Sequence, residues 1–389
     1  MKGFQRLEEV FKISKTICIA HGGDVSEPSG GTNRVIAFAT ALRDAGFDVH
    51  LIVPSPKRRF SSDLQNIRIH TVPIKAGGVK DQPIRALLIS LKAKRIAEKN
   101  NAILQIEHST LAGFATLIGC SDFVLDMHDL AFMSPLYGNL PFAKVVQKFI
   151  YMIEKRAVTK AFKIIVVSNP MKEFIIKEWD ISEDKIVVIP NGYFESKIKG
   201  LEKNDRVIDE HMIVRLGTLF RHLDVENVIN LAKSLTDENI KIYLIGDGEL
   251  RPYLEERIRR ENLRNIVITG WLPYEEAIRL TAKAKLVFLT IKRSLTTEMA
   301  CPIKILDYAA LGKPMVLSDV SELSKTFKEN QAALVSNPEN PDAFIENVRV
   351  LLENENLRKR ISSNAKKLVK DFTWEKQGEK LVKMMERLR

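Results

Sequence analysis

Lys304 and Asp307 stand three residues apart in SLTTEMACPIKILDYAALGKPMVLSD, residues 294–319. On a helix, that spacing puts them on one face. The predicted helix opens at about Pro302, where a proline's missing N–H costs nothing, and ends at Leu311 before Gly312, Lys313 and Pro314. Its start directs unpaired backbone N–H groups and a positive dipole end at whatever lies above. A cation and a carboxylate one turn deeper complete what a nucleoside diphosphate needs. Amides near Pro302 and Ile303, with Lys304, suit phosphate; Asp307 suits ribose hydroxyls. The same pattern also fits a buried helix of an ordinary α/β protein with a solvated Lys and Asp.

Other residues sit where ligands are met. Gly22, Gly23, Gly30 and Gly31 form a glycine-rich loop after the apolar run TICIAH, before a helix expected from about Asn33 to Ala45, with Thr32 or Asn33 as its cap. Glycines there let backbone approach a phosphate. The loop is neither GxGxxG nor followed by Gly-Lys-Ser/Thr, so neither a dinucleotide fingerprint nor a P-loop is supported. His108 and His128 follow predicted strands, in QIEHS and DMHDL, on the ligand side of a sheet. His128, beside Asp129, is the stronger candidate. Asn191-Gly192, Gly246-Asp247-Gly248 and Gly270-Trp271 end further strands. Trp271 suits stacking on a base or packing at a hinge. No cluster has metal-ligand spacing, and HExxH and GxSxG are absent, which removes the zinc and serine-hydrolase readings.

Short apolar β-branched runs alternating with amphipathic segments must position these residues. The strands expected before residue 191 are TICIAH, VHLIVP, IRIHTVP, AILQIE, FVLDM, KIIVVS and KIVVIP. Residues 192–210 are polar without a period and read as a linker. HMIVRLG, KIYLIG, NIVITG, KLVFLT, PMVLSD and AALVS follow, then a helical tail. The pattern predicts parallel sheets covered on both faces, as two doubly wound domains. Their ligands bind beyond the carboxyl ends of strands, in a cleft where the two domains face each other. The expected boundaries are 1–195, a linker at 196–210, 211–371, and a C-terminal helix at 372–389 that returns to the first domain.

The 389 residues carry a net charge of +11. Residues 51–100 hold 11 Lys+Arg against 3 Asp+Glu, concentrated in PKRRF (56–60) and IRALLISLKAKRIAEK (84–99). Such a patch suits an anionic surface or a solvated face. No recognised nucleic-acid module accompanies it. Cys18, Cys120 and Cys301 show no disulfide pattern, and the first residues lack an apolar core with a cleavage site. Both features point to the cytoplasm.

Nine pieces in order carry a resemblance. They are the Gly30-Gly31 loop with LRDAGFDVHLIVP; MHDL around His128; EKRAVTKAFKIIVVSNPMKEF; KIVVIPNG; VRLGTL; IYLIGDGEL; VITGWLPYEEAIRLTAKAKLVFLT; residues 301–319; and FTWEKQ. With these the chain resembles retaining glycosyltransferases of family 4, the group 1 type, with the GT-B architecture of two facing Rossmann-like domains. The resemblance implies transfer of a sugar from a nucleoside diphosphate sugar to an acceptor hydroxyl, with retention and without a metal or other cofactor. It makes Asp307 the partner of the donor ribose and places Gly30, Gly31, Gly217, Gly246, Trp271, Pro302, Ile303 and Lys304 along the donor. His128 falls by the transferred sugar.

The family's first glutamate should fall at Met299, which leaves Glu298, one residue early, as its stand-in. The family's diphosphate-binding Arg falls at Thr218 and its Lys has no match; Arg221, then His222, are the candidates for the missing charge. The acceptor expected is lipid-linked or a polysaccharide. Residues 84–99, with Ile84, Leu87, Leu88 and Leu91 on one side and Lys92, Lys94, Arg95 and Lys99 elsewhere, would rest on an anionic membrane. Two rivals stand beside this reading: a nucleotide-sugar epimerase of GT-B fold, and a sugar-nucleotide-binding protein without catalysis.

Overall fold

The computed structural model describes residues 15–27, 30–78, 81–134, 137, 142–201 and 208–388. The start of the chain, where the lack of a signal segment was read, lies outside them. Two compact units result: Met1–Asn191 with Trp374–Arg389, and Gly192–Thr373.

Among the described residues the first unit holds seven strands: β1 (Thr16–Ala20), β2 (Asp48–Ser55), β3 (Arg68–Lys75), β4 (Ile103–Glu107), β5 (Val124–Met127), β6 (Lys163–Val166) and β7 (Ile186–Val188). They form one parallel sheet in the order β3-β2-β1-β4-β5-β6-β7. β1 and its neighbours are buried because both faces are covered, which is why they read as unbroken apolar runs. The order reverses between β1 and β4. The loops that leave those two strands carry His21 to Asp24 and His108, at the switch point where such sheets take ligands.

The second unit holds β8 (Asp209–Leu216), β9 (Lys241–Ile245), β10 (Ile266–Gly270), β11 (Ala284–Leu289), β12 (Met315–Ser318) and β13 (Leu334–Ser336). These also pair in parallel, in the order β10-β9-β8-β11-β12-β13. Its core gathers Leu219, Val228, Leu244, Phe288 and Phe344. Both sheets are doubly wound, and neither closes into a barrel. Among the described residues, all thirteen strands lie where the apolar runs placed them.

Three local expectations need correction. The first helix runs Gly30–Asp44, so Gly30 and Gly31 are its first turn rather than a loop. A first turn lacks the backbone bonds that glycine would weaken. Thr32 is inside that helix, and its hydroxyl donates to the Glu27 carbonyl at 2.9 Å instead of capping. The presumed linker contains a helix, Glu195–Lys199, and β8 begins at Asp209. Helix Trp374–Arg387 belongs to the first unit, where Trp374 meets Phe38 edge-on at 6.2 Å between ring centres.

Glycine is required at Gly246, whose φ is +144° and where a Cβ would lie 2.2 Å from the Gly217 carbonyl oxygen. The ends of β8 and β9 can meet only with bare backbone there.

Candidate functional site

The first unit gathers charge at the ends of β4 and β5. Asp126 and Glu107 are fully buried on these adjacent strands. Two charged carboxylates this close, away from water, need counter-charge. Arg34 supplies it from the first helix: Nε donates to Asp126 Oδ2 at 2.8 Å and Nη2 to Oδ1 at 2.9 Å. Its remaining donors go to the carbonyls of Ile189 (2.9 Å) and Pro190 (3.2 Å) and to Asn191 Oδ1 (3.3 Å). His128 Nε2 lies 3.1 Å from Glu107 Oε2 and 3.4 Å from Asp126 Oδ2. Gln105 donates to the other Glu107 oxygen at 2.6 Å.

The electrostatics follow. Burial opposes the His128 charge, but Asp126 and then Glu107 outweigh it and push its pKa up to about 9. Burial also opposes the Asp126 charge, yet Arg34 and His128 hold its carboxyl well below the usual range. Glu107 is raised, by burial and then by the neighbouring Asp126 charge. His128 is thus an imidazolium at neutral pH. With Nε2 committed to the carboxylates, Nδ1 is the atom left for a ligand. Nδ1 faces Gly31, where a Cβ would sit 3.9 Å away.

This geometry carries a pH expectation. The folded pKa of His128 is raised above its ordinary value of 6.5, so its contribution is fully present below that pH. It is lost as pH rises toward about 9. The melting temperature of the wild type should therefore fall between these limits, and His128→Gln should remove that part of the slope. Parallel profiles would refute the assignment.

Glu107, Asp126 and His128 also place ligand atoms within 4.8 Å of one another, a spacing that suits a metal. Arg34 already takes both Asp126 oxygens, so a cation there would compete with the guanidinium. His108 is a separate pair, with Nε2 3.0 Å from Asp129 Oδ1.

In the second unit, helix Ile303–Leu311 begins one residue after Pro302, which stands at the N-cap position without a side-chain capping bond. One turn in, Lys304 Nζ lies 3.2 Å from Asp307 Oδ2, and the Tyr274 hydroxyl donates to Oδ1 at 2.8 Å. Asp307 is fully buried, while the Lys304 side chain is partly exposed. Gly217 lies beside Lys304: a Cβ there would be 3.7 Å from Lys304 Cγ. Gly217 and Gly246 are therefore joined to the Lys304 neighbourhood. Trp271 is exposed at the end of β10.

The other candidates meet groups of their own. Glu298 pairs with Arg293 at 3.1 Å, and Arg293 also holds Glu339, so Glu298 is tied into a surface ion-pair group; Met299 is buried. Arg221 pairs with Glu249 at 3.1 Å. His222 cannot serve as a cation at neutral pH, because burial and then the Arg215 charge push its pKa down to about 4. Arg215, which the sequence reading passed over, is a fully buried strand residue whose Nη1 donates to the Gly217 carbonyl at 2.6 Å. Its Nε has no partner among the described residues. A lone arginine in the apolar run HMIVRLG was the available signal.

Two family models match. The one described as Glycosyl transferases group 1 covers residues 196–368, and Glycosyltransferase Family 4 covers residues 28–194. An uncharacterized glycosyltransferase of Methanocaldococcus jannaschii is 27% identical over 241 residues, 59% of this chain and 60% of that protein. The chain thus spans about three fifths of that relative's length. A UDP-Gal:alpha-D-GlcNAc-diphosphoundecaprenol alpha-1,3-galactosyltransferase of Escherichia coli is 25% identical over 367 residues, 87% of this chain and 89% of its own. The solved structure of Anabaena HepE in complex with UDP-glucose shares the fold with a TM-score of 0.72 at 17% identity, covering 96% of this chain and 99% of that one.

Proposed function

Because this chain belongs to the group 1 glycosyltransferases of family 4, we propose that it moves a hexosyl group from a nucleoside diphosphate sugar to an acceptor hydroxyl with retention of configuration. The observation that carries the reading is the Lys304–Asp307 pair one turn into the helix that follows Pro302, beside Gly217. In this reading the first amides of helix Ile303–Leu311 and Lys304 hold the diphosphate as its charge develops. A carboxylate offers about four lone-pair sites, and Asp307 uses two, so two remain for ribose hydroxyls and a third is freed when Lys304 turns to phosphate. Arg215 supplies the field that Thr218 does not. Charge on the leaving group is met by these cations without a metal. His128 Nδ1 is offered to the transferred sugar.

A panel of nucleoside diphosphates tests this by thermal shift. A hundredfold excess over the dissociation constant adds about 2.7 kcal/mol to the stability of the unit that binds. At least one diphosphate should shift the melting of the chain; none doing so would overturn the reading. Met299 and the Glu298–Arg293 pair favour one rival, a nucleotide-sugar-binding protein without catalysis. That rival binds in this panel but releases no diphosphate from a donor.

The same reading includes a lipid-linked acceptor reached from an anionic membrane surface. The support is in the first unit. Ile84, Leu87 and Leu91 are exposed along helix Gln82–Asn100, with exposed Arg95 and Lys99 further along it. Leu88 is half-buried, and Lys92 and Lys94 are committed to the carbonyls of Thr71 and Ile118, so they do not serve this face. Phe142, Val145, Phe149 and Met152 add an exposed apolar stripe on and beside helix Ala143–Lys160. Among the described residues no helix is long and apolar enough to cross a membrane. Each basic residue at an anionic surface contributes about 1 kcal/mol. The chain should float with phosphatidylglycerol vesicles at low salt and stay down with phosphatidylcholine; staying in solution with both would remove the membrane from the account.

A further inference from the structure

The first unit contains a cavity of about 410 Å³ whose wall includes His21, Asp24, Glu27, Arg85, Glu107 and His108. Small-molecule sites run from roughly 300 to 1,000 Å³. It opens from the loops after β1 and β4, where the sheet order reverses.

The polar groups of this wall divide in two. The carboxylates are taken. Asp24 accepts from Ser26 N at 2.9 Å and Oγ at 2.6 Å and from Lys57 N at 2.9 Å. Glu27 pairs with Lys57 at 3.0 Å, and Glu107 is held by Gln105 and His128. Of the basic groups, His108 is paired with Asp129, but Arg85 and His21 are not taken. Arg85 is 9% exposed and His21 8%. Arg85 Nη1 and both ring nitrogens of His21 are buried without a hydrogen-bond partner among the described residues. Asp81 lies near enough to act on the Arg85 charge but makes no hydrogen bond with it. Buried polar groups are ordinarily paired, so two orphans on one cavity wall mark a missing partner.

The chemistry of that partner follows from the donors. A guanidinium has only N–H donors and matches carboxylate or phosphate oxygens. A neutral imidazole both donates and accepts, as a sugar hydroxyl does. Burial, and then the charges of His128 and His108, keep His21 neutral, with its pKa near 3. We propose that this cavity binds an acidic sugar, its carboxylate or phosphate on Arg85 and a hydroxyl on His21, and that this sugar is the acceptor. The word acceptor rests on the glycosyl-transfer reading; the acidic-sugar site does not.

The test uses the full chain and three probes: D-glucuronate, D-glucose 6-phosphate and D-glucose, titrated by calorimetry with UDP as a separate titrant. One or both acids should bind about tenfold or more tightly than glucose, since a hydrogen bond to a charged group discriminates on that scale. Whichever acid is preferred identifies the acidic group as carboxylate or phosphate. Arg85→Gln should remove the preference and leave UDP affinity unchanged. Failure of both acids to bind, a glucose affinity equal to theirs, or a preference that survives Arg85→Gln would overturn the proposal. The wild-type comparison stands even if the variant misfolds. UDP binding with no acid preference leaves the donor reading in place and sinks this one. An Arg85-dependent acid preference without binding of UDP or any other nucleoside diphosphate leaves the acidic-sugar site and sinks the donor reading.

Discussion

Asp307→Ala abolishes the thermal shift that nucleoside diphosphates give the wild type. The carboxylate is fully buried, holds Lys304 at 3.2 Å and receives the Tyr274 hydroxyl at 2.8 Å. Removing it frees Lys304 from its anchor and deletes the acceptor proposed for two ribose hydroxyls. Hydrogen bonds to a charged group contribute about 1.5–3 kcal/mol each, so affinity should fall by about a hundredfold or more. The variant also removes the acceptor of the half-buried Tyr274 hydroxyl, at a cost of about 1 kcal/mol in the unliganded chain. Asp307→Asn separates the two effects. Its amide oxygen can still accept from Tyr274, which protects the fold, but it has no charge for Lys304. Loss of the diphosphate shift in both variants, with near-normal unliganded melting in Asp307→Asn, is the expected result. Wild-type shifts in Asp307→Asn would show that the charge has no part in binding.

Arg34→Ala destabilises the first unit by about 3–5 kcal/mol, the range for removing one partner of a buried ion pair. Arg34 is 1% exposed and spends its guanidinium on Asp126, Ile189, Pro190 and Asn191, while stacking over Phe38 at 4.4 Å. Without it, Asp126 and Glu107 share a single imidazolium in a dry site. One of the carboxyls must then take a proton near neutral pH, or the strand ends must open. Arg34→Lys should recover only part of the loss, because an ammonium cannot reproduce the planar fork on Asp126. Urea unfolding at pH 7, resolving the transitions of the two units, reads this directly. A shift below about 1 kcal/mol would match a surface pair instead and contradict the buried network.

The strands were legible because burial on both faces imposes continuous apolar runs, as in KIIVVS and KLVFLT. His128 was legible by position, just past a strand. The Lys304–Asp307 pair was legible because helical spacing is local. What escaped the sequence was pairing at long range. Arg34 reads as one polar residue in GGTNRVIAF, yet its carboxylate partner is Asp126, from another element. Glu107 reads as the polar end of a strand until Asp126 and His128 are placed beside it. Arg215 escaped for a different reason: its contact is local, but one arginine in an apolar strand does not show that its side chain turns onto the Gly217 carbonyl two residues on. Gly30 and Gly31 misled because glycine weakens helix interiors but is tolerated in a first turn. Arg221 and Glu298 were sound by sequence position alone, and local ion pairs with Glu249 and Arg293 claim both.

The measurement that bears most directly on glycosyl transfer is turnover of a panel of nucleoside diphosphate sugars by the full chain, followed by phosphorus and proton NMR with acidic and neutral sugar acceptors. One donor should release its nucleoside diphosphate and give a glycoside with the anomeric configuration of that donor, and Asp307→Asn should stop the release. Tight donor binding with no diphosphate released, an epimerised nucleotide sugar, or a product of inverted configuration would contradict the account.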